Sequence, residues 1–466
     1  MSKKVTLMLS MIVALSMILT ACSAPAATQA PVAPAATQPP AAPAATQPPA
    51  APAATTAPAA PAAQSLTIWT KFNDSDPQNS QDTWMAEFMS HLQADKNITV
   101  TNVFEPYDQI NSKLALAVNA QGTVPDLSYV DTQYISYFMN NGTLTDLTDY
   151  VKAAPWYANV NPNSMKSCTG PDGKIYCVPT NVNATLNYYW TAAYPNGAPK
   201  TTDDLLTAAA AFPKGKYALT FKGSEAVASE QTYFSLIKSF GGTIADASGK
   251  VAWATPQTVN AIEFFRQVFA KRYAPQVDLA TGFDDETMIS NGTAGLFMAG
   301  TWSYVYLYPL VSPDGKKFDD GAGSVEQALK AGALATSAPL TAPGGQPVSI
   351  LTSSAFAIPV GAKNVDAAKA VIDYIMQPLQ NADFAVAYGA LPSNTLSLQD
   401  NRFKNSSYWQ AVEKIVEQYG TPVDPMLNYD KAVQKLSDTI VTLIQKPNMD
   451  ILKTLQAAQD EINAGS

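Results

Sequence analysis

Histidine and cysteine are almost missing from this sequence: His91 is the only histidine, and Cys22, Cys168 and Cys177 are the only cysteines. That poverty leaves a zinc shell incomplete, and with no G-x-S-x-G motif it leaves a serine hydrolase without its nucleophile turn. His91, in a helical stretch after Met89, reads as a satisfied surface residue. No P-loop or Rossmann glycine fingerprint occurs, and Asn-Gly-Thr at Asn141 and at Asn291 reads as a turn. Basic residues are in deficit, 29 against 38 acidic ones, for a formal charge of -9. With no basic patch, a nucleic-acid partner is excluded and a neutral or cationic ligand is expected.

Charge is also missing from a whole segment, since none occurs after Lys4 until Lys71. Its first part is apolar: Lys3 and Lys4 precede a run from Val5 to Leu19, the positive-then-apolar order of a secretory signal and short for a membrane span. The run ends in Leu19, Thr20, Ala21 and Cys22, which resembles the box of bacterial lipoprotein signals. That resemblance implies removal of residues 1–21 and a lipid on Cys22, the new N-terminus. The plainer alternative, a cut elsewhere, leaves an odd cysteine near a free tail.

After Cys22 comes a period of nine, "PAATQPPAA" at Pro34 and Pro43 and "PAATTAPAA" at Pro52. No large apolar side chain lies between Val32 and Leu66, so the tract cannot bury enough surface to offset its ordering entropy. Residues 22–64 are therefore expected to be an extended tether, reaching at most about 120 Å at the polyproline rise. The expected location is the outer face of a cell membrane.

What remains is about four hundred residues, 47% hydrophobic and only 14% charged across the chain, enough for two lobes. Cys168 and Cys177 bracket "TGPDGKIY". With Asp172 and Gly173 as a two-residue hairpin turn, the cysteines fall opposite each other at a non-hydrogen-bonded site, about 4.5 Å apart at Cα and within disulfide range.

Strand-like and helical periodicities alternate along this body, as in an α/β layout with parallel sheets. "SLTIWT" at Ser65, "NITVTNVFE" and "PDLSYVD" read as strands. Trp84, Phe88, Met89 and Leu92 mark one helix and Tyr107 to Asn119 a second. "NAIEFFRQVFAKR", "VDAAKAVIDYIMQ" and "SYWQAVEKIVEQY" mark three more. "LTIWT", "VPDLSYVD", "DGKIYCVP", "PKTTDDLL", "SFGGTIADASGKVAW", "NGTAGLFMAGTWSY", "SAFAIPVGAKNVDAAKAVIDYI" and "YGALPSN" follow in an order that resembles the extracellular solute-binding proteins of ABC importers, in the group that includes maltose- and oligosaccharide-binding members. The chain departs from that pattern in "YYWT" at Tyr188, where the family usually shows tyrosine, asparagine and lysine.

The resemblance implies a two-lobe α/β fold with hinge-crossing strands and a central cleft. Lobe 1 is placed at 65–182 plus 353–388 and lobe 2 at 183–352 plus 389–466, with crossings near Asn181 to Asn183 and Ile350 to Ser354. It also implies a carbohydrate ligand, ABC permease partners, a monomer and no cofactor. Loops at the carboxyl ends of strands should line the cleft. Asn73 and Asp74 follow the first strand, where they either contact ligand or cap the next helix. Asp131 ends the "SYV" strand, and past the hinge stands Asn183, with Asn181 as its alternative. Trp69 and Trp84 read as core. Trp302 matches the family's stacking wall, with Gly300 allowing close backbone approach, and Tyr304 shares its face if the segment is extended. Trp409 resembles a late-helix aromatic that floors the site, and Tyr233 is a further candidate. The rival readings are a tethered glycosidase, for which no distinguishing carboxylate pair is visible, and a polysaccharide-binding adhesin, which would need no hinge.

Overall fold

A computed structural model describes residues 63–73, 79–224, 226–280, 282 and 284–465, all within one compact unit, 60–466. The expected signal, Cys22, all but the end of the tether, and Asp74 lie outside the described residues.

Leu66, Ile68 and Thr70 face inward at alternate positions of the first strand, Gln64–Thr70 (β1). It pairs in parallel with Ile98–Phe104 (β2) and Leu127–Asp131 (β3). Between β1 and β2 the helix Ser80–Lys96 buries Trp84, Met85, Phe88 and Leu92. The Asn79 side chain accepts from the Gln81 and Asp82 N–H groups at its start, and Asn97 closes it at φ 56°. Trp69 is only half-buried, with the Lys113 ammonium 5.1 Å from its ring centre.

The chain then crosses: Val178–Pro179 (β4) ends one sheet, and after Thr180 the ten-residue Asn181–Trp190 (β5) runs through the middle of another. The strands that follow are Tyr217–Phe221 (β6), Ala294–Gly300 (β7), the small pair Leu310–Val311 and Lys317–Phe318 (β8, β9), and Leu334–Ser337 (β10). Ser349–Thr352 (β11) pairs with β5; one residue later Ser354–Ala357 (β12) is back between β3 and β4. Leu391–Pro392 (β13) and Gly420–Pro422 (β14) complete the second sheet.

The first sheet has the order β2-β1-β3-β12-β4 and the second β14-β11-β5-β7-β6, with β10 and β13 also on β5. Neither is purely parallel, contrary to the expectation from alternating periodicities. β12 is antiparallel to β3 and β4, and β5 to β7, β10, β11 and β13. A strand that passes straight from sheet to sheet takes its direction from that passage, not from a helical crossover. Two helices, Tyr429–Gln445 and Ile451–Ala464, end the described chain.

Cys168 and Cys177 are bonded, with Cα atoms 5.1 Å apart. The hairpin register differs from the expected one. Gly173 adopts φ 78°, and the Gly170 N–H donates to the Lys174 carbonyl, so the loop has three residues and Thr169 opposes Ile175. The cysteines are thus offset by one rather than directly opposite, Cys168 also closing the helix Pro162–Ser167. Closing a loop of about ten residues restricts the unfolded chain by about 2–3 kcal/mol. Cys168→Ser is therefore expected to destabilise by about that amount, and in denaturant titrations reductant should lower the wild-type midpoint to match it.

Candidate functional site

Between the two sheets and their helices lies a cavity of about 1020 Å³. Its first wall grows from the carboxyl end of β3. Asp131, 4% exposed, accepts from the Tyr129 hydroxyl at 2.7 Å and from Asn111 Nδ2 at 2.8 Å. Burial raises its pKa above the ordinary carboxylate value, although Tyr129, Lys71 and Asn111 pull it down. The Tyr129 hydroxyl also meets those of Ser354 at 3.2 Å and Tyr388 at 3.3 Å. Lys71, just past β1, donates to Tyr388 at 3.1 Å, and its ammonium stands 4.5 Å from the ring centre of Tyr388 and 4.7 Å from that of Tyr107. Burial disfavours that charge, but Tyr388, Tyr306 and Asp131 outweigh it and hold the lysine above its ordinary pKa. Lys71, Tyr388, Tyr129 and Asp131 form one connected polar run along the wall.

The facing wall comes from β5 and the segment after β7. Asn183, 4% exposed on β5, accepts from Thr301 Oγ1 at 3.3 Å and lines the cavity. Asn181, the alternative, is engaged at the crossing: its Oδ1 accepts the Ser354 N–H at 2.8 Å and its Nδ2 donates to Ser354 Oγ. Trp302 also lines the cavity, with its indole folded back over Gly300, where an added Cβ would fall 1.9 Å from the ring. Gly300 thus makes room for the tryptophan, not for the ligand as expected. Burial and the adjacent Asp285 carboxylate push Glu286, on the same side, up to about 7, against the pull of Lys222.

The two walls meet at the start of the helix Tyr429–Gln445. Asp430, in the first turn of the helix Tyr429–Gln445, accepts from Ser112 Oγ at 2.6 Å and from the Tyr134 hydroxyl, both on the first-sheet side. Its neighbour Tyr429 packs its ring 4.8 Å from that of Tyr134 and donates to buried Glu230 at 3.1 Å. Burial holds Glu230 well above the ordinary carboxylate range.

Asp131, Asn183 and Trp302 are therefore brought together, whereas four other expected contacts are not. Asn73 is exposed, its N–H donating to the Asp82 carboxylate at 2.7 Å, and it does not line the cavity; the helix cap is Asn79. Tyr233 is 1% exposed, its ring against Phe221 and Phe265 and its hydroxyl on the Gly223 carbonyl. Tyr304 does not share a strand face with Trp302, because Ser303–Tyr306 is a short helix. Its ring meets Tyr408 at 4.7 Å and Trp409 at 5.0 Å, and its hydroxyl donates to Glu326 at 2.8 Å. Trp409, 3% exposed, belongs to the same aromatic cluster behind the second sheet. These three rings sit on amphipathic or core positions where apolar packing wins.

Lys71, Tyr107, Tyr388, Gln231, Glu286 and Asp430 line the cavity without having been singled out. Lys71 carried a readable signal, the first charge after the neutral tract at the end of a strand; the others carried none. Among the described residues no cluster of three or more His, Cys, Asp or Glu is placed to hold a metal ion.

A family model described as bacterial extracellular solute-binding protein matches residues 83–411. The chain belongs to that family. This solute-binding chain is 26% identical over 244 residues to a probable ABC transporter-binding protein of Deinococcus radiodurans, a match covering 50% of the chain and 54% of that protein. It thus spans about half the length of the curated relative it matches. Among solved structures it is similar to maltose-bound MalE3 of T. maritima (TM-score 0.72, 19% identity, 87% of this chain and 100% of that one). A second is a solute-binding protein of Thermotoga lettingae bound with α-D-tagatose (0.72, 19%, 86% and 99%). A third is a substrate-binding protein of Listeria monocytogenes in complex with cycloalternan (0.70, 15%, 86% and 99%). The two-lobe fold is common to them.

Hydrogen bonds to a charged group contribute about 1.5–3 kcal/mol each. Asp430→Ala, which removes both bonds across the cleft, is expected to favour separated lobes and to increase the radius of gyration in small-angle X-ray scattering; an unchanged curve would make Asp430 a passive neighbour.

Proposed function

We propose that this solute-binding protein captures a carbohydrate of oligosaccharide size between its lobes and hands it to the permease subunits of an ABC importer, while a lipid on Cys22 holds it to the outer face of the membrane. The lobes are taken as 65–182 plus 353–388 and 183–352 plus 389–466. One observation carries the ligand class: a single cavity offers ring faces, from Trp302, Tyr107, Tyr306 and Tyr388, together with the polar groups of Asp131, Asn183 and Lys71. The apolar face of a pyranose packs on rings while its hydroxyls need such partners at fixed positions. A volume of about 1020 Å³ exceeds the need of one sugar ring. Maltose, tagatose and cycloalternan in the names of similar structures support the same class. Closure on a ligand buries it from water and creates a shape that a permease can read.

A thermal-shift screen over oligosaccharides, amino acids and polyols tests this reading, because a ligand at a hundredfold its dissociation constant stabilises by about 2.7 kcal/mol. Stabilisation by at least one oligosaccharide is expected, abolished in Trp302→Ala; no stabilisation by any sugar would overturn the assignment. For the anchor, Cys22→Ala expressed in a bacterial host is expected to move the protein from the membrane pellet to the soluble fraction, and continued pelleting would refute the lipid.

A further inference from the structure

Beside Trp302, on the second-lobe side, a small annex of about 40 Å³ adjoins the cleft: Gln231, Glu286 and Trp302 line both spaces. One water requires about 10–15 Å³ of such volume, so the annex takes a group of two or three heavy atoms. Its chemistry is built. The Lys222 ammonium stands 3.2 Å from the Asp285 carboxylate, their side chains 8% and 4% exposed. Gln231 is 5% exposed, and its Oε1 has no hydrogen-bond partner. Buried acceptors are normally satisfied, and one left open at the edge of a ligand cavity points to a donor that arrives with the ligand.

The charges decide which donor. Lys222 and Asp285 neutralise each other at 3.2 Å, and burial, with Asp285 beside it, pushes Glu286 up to about 7, so an ion entering the annex gives up its water for little net opposite charge. A neutral hydroxyl carries no such cost: it donates to Gln231 Oε1 and accepts from the lysine. Phe297 and Met298 border the same space and suit a methylene. Building on the carbohydrate reading above, we infer that the annex is a subsite for the exocyclic hydroxymethyl group of the bound sugar. It selects hexose units over pentose units and over 6-deoxy or uronic acid units. The ring stacks in the main cleft while its hydroxymethyl arm turns past the edge of Trp302 into the annex.

The test is isothermal titration of the full chain with disaccharide pairs that differ only in the hydroxymethyl groups, cellobiose against xylobiose first, then further hexose and pentose disaccharides of other linkages. A site with a buried acceptor left unpaired loses about tenfold or more in affinity. The hexose member is expected to bind at least about tenfold tighter than its pentose partner. Two variants act on the annex by different routes: Gln231→Leu removes the acceptor, and Ala299→Val adds bulk from β7 while every polar side chain of the annex is kept. Each should bring the hexose down to within about threefold of the pentose, and Ala299→Val, whose residue lines the annex and not the main cavity, should leave pentose binding unchanged. Equal affinity of hexose and pentose for the wild type would overturn the subsite, as in an annex filled by water alone, and would leave the carbohydrate reading intact. A preference that survives whichever variants fold would overturn it as well. Failure of every sugar pair to bind would overturn the carbohydrate reading and the subsite with it.

Discussion

Thr180 and Ser353 are the single residues that carry the chain between the two sheets, and the cleft depends on how they are held: Thr180 lies against Ser354, and Ser353 exchanges hydrogen bonds with Thr132. The Thr180 N–H and hydroxyl both donate to the Ser354 carbonyl, at 2.8 and 3.0 Å, and Asn181 returns a bond to the Ser354 N–H. Asn381 closes the arrangement by donating to the Thr180 carbonyl at 2.7 Å. Each crossing is thereby tied by side chains that are themselves fully buried, so the polar groups at the pivot have no water to exchange with. Asp131 and Asn183 project into the cavity a few residues away on strands that this junction aligns.

The cleft concentrates ionisable groups in a poorly solvated place, and the fold handles them by sharing. Asp131 is held by a phenol and an amide, Lys71 by a phenol and ring faces, and Asp430 by two hydroxyls from the opposite wall, while Glu230 has a phenol on Oε1 and, among the described residues, no hydrogen-bond partner on Oε2. Tyrosine recurs because its ring fills space while its hydroxyl supplies a neutral donor that can also accept. A wall made this way presents aromatic surface and fixed polar atoms at once, so one set of residues both ties the lobes together and lines the cleft.

How much of this was readable from residues alone differed by feature. β1 to β3 were legible from short runs of β-forming residues and the helix Ser80–Lys96 from Trp84, Phe88 and Leu92 four residues apart, and Asp131 was legible because a strand end in an α/β sheet opens onto the cleft. Trp302 and the small-residue turn before it were singled out from their segment, yet the use of Gly300 was not, because a glycine signals freedom without saying what uses it. Tyr233, Tyr304 and Trp409 misled for a physical reason: an aromatic residue on an amphipathic helix has the same local pattern whether its ring faces a core or a cavity. Asp430 could not be read at all, since its partner Ser112 is 318 residues away in the chain. The disulfide was legible from the pairing of two cysteines, but its register turned on one residue of loop length that Gly173 alone could settle either way.

Asp430 also stands outside the segment that defines the family, which ends at residue 411. The terminal helices add Gln434, Asp438 and Glu461 to the same cavity edge. The same helices also hold the second sheet: Tyr429, Val433, Leu436, Ile440 and Leu455 are buried in one cluster with Leu219 and Phe221 of β6. One face of these helices is thus committed to packing and the other to the cavity edge, so a change at Gln434, Asp438 or Glu461 alters the rim of the cleft while a change at Leu436 or Ile440 alters the body that carries it.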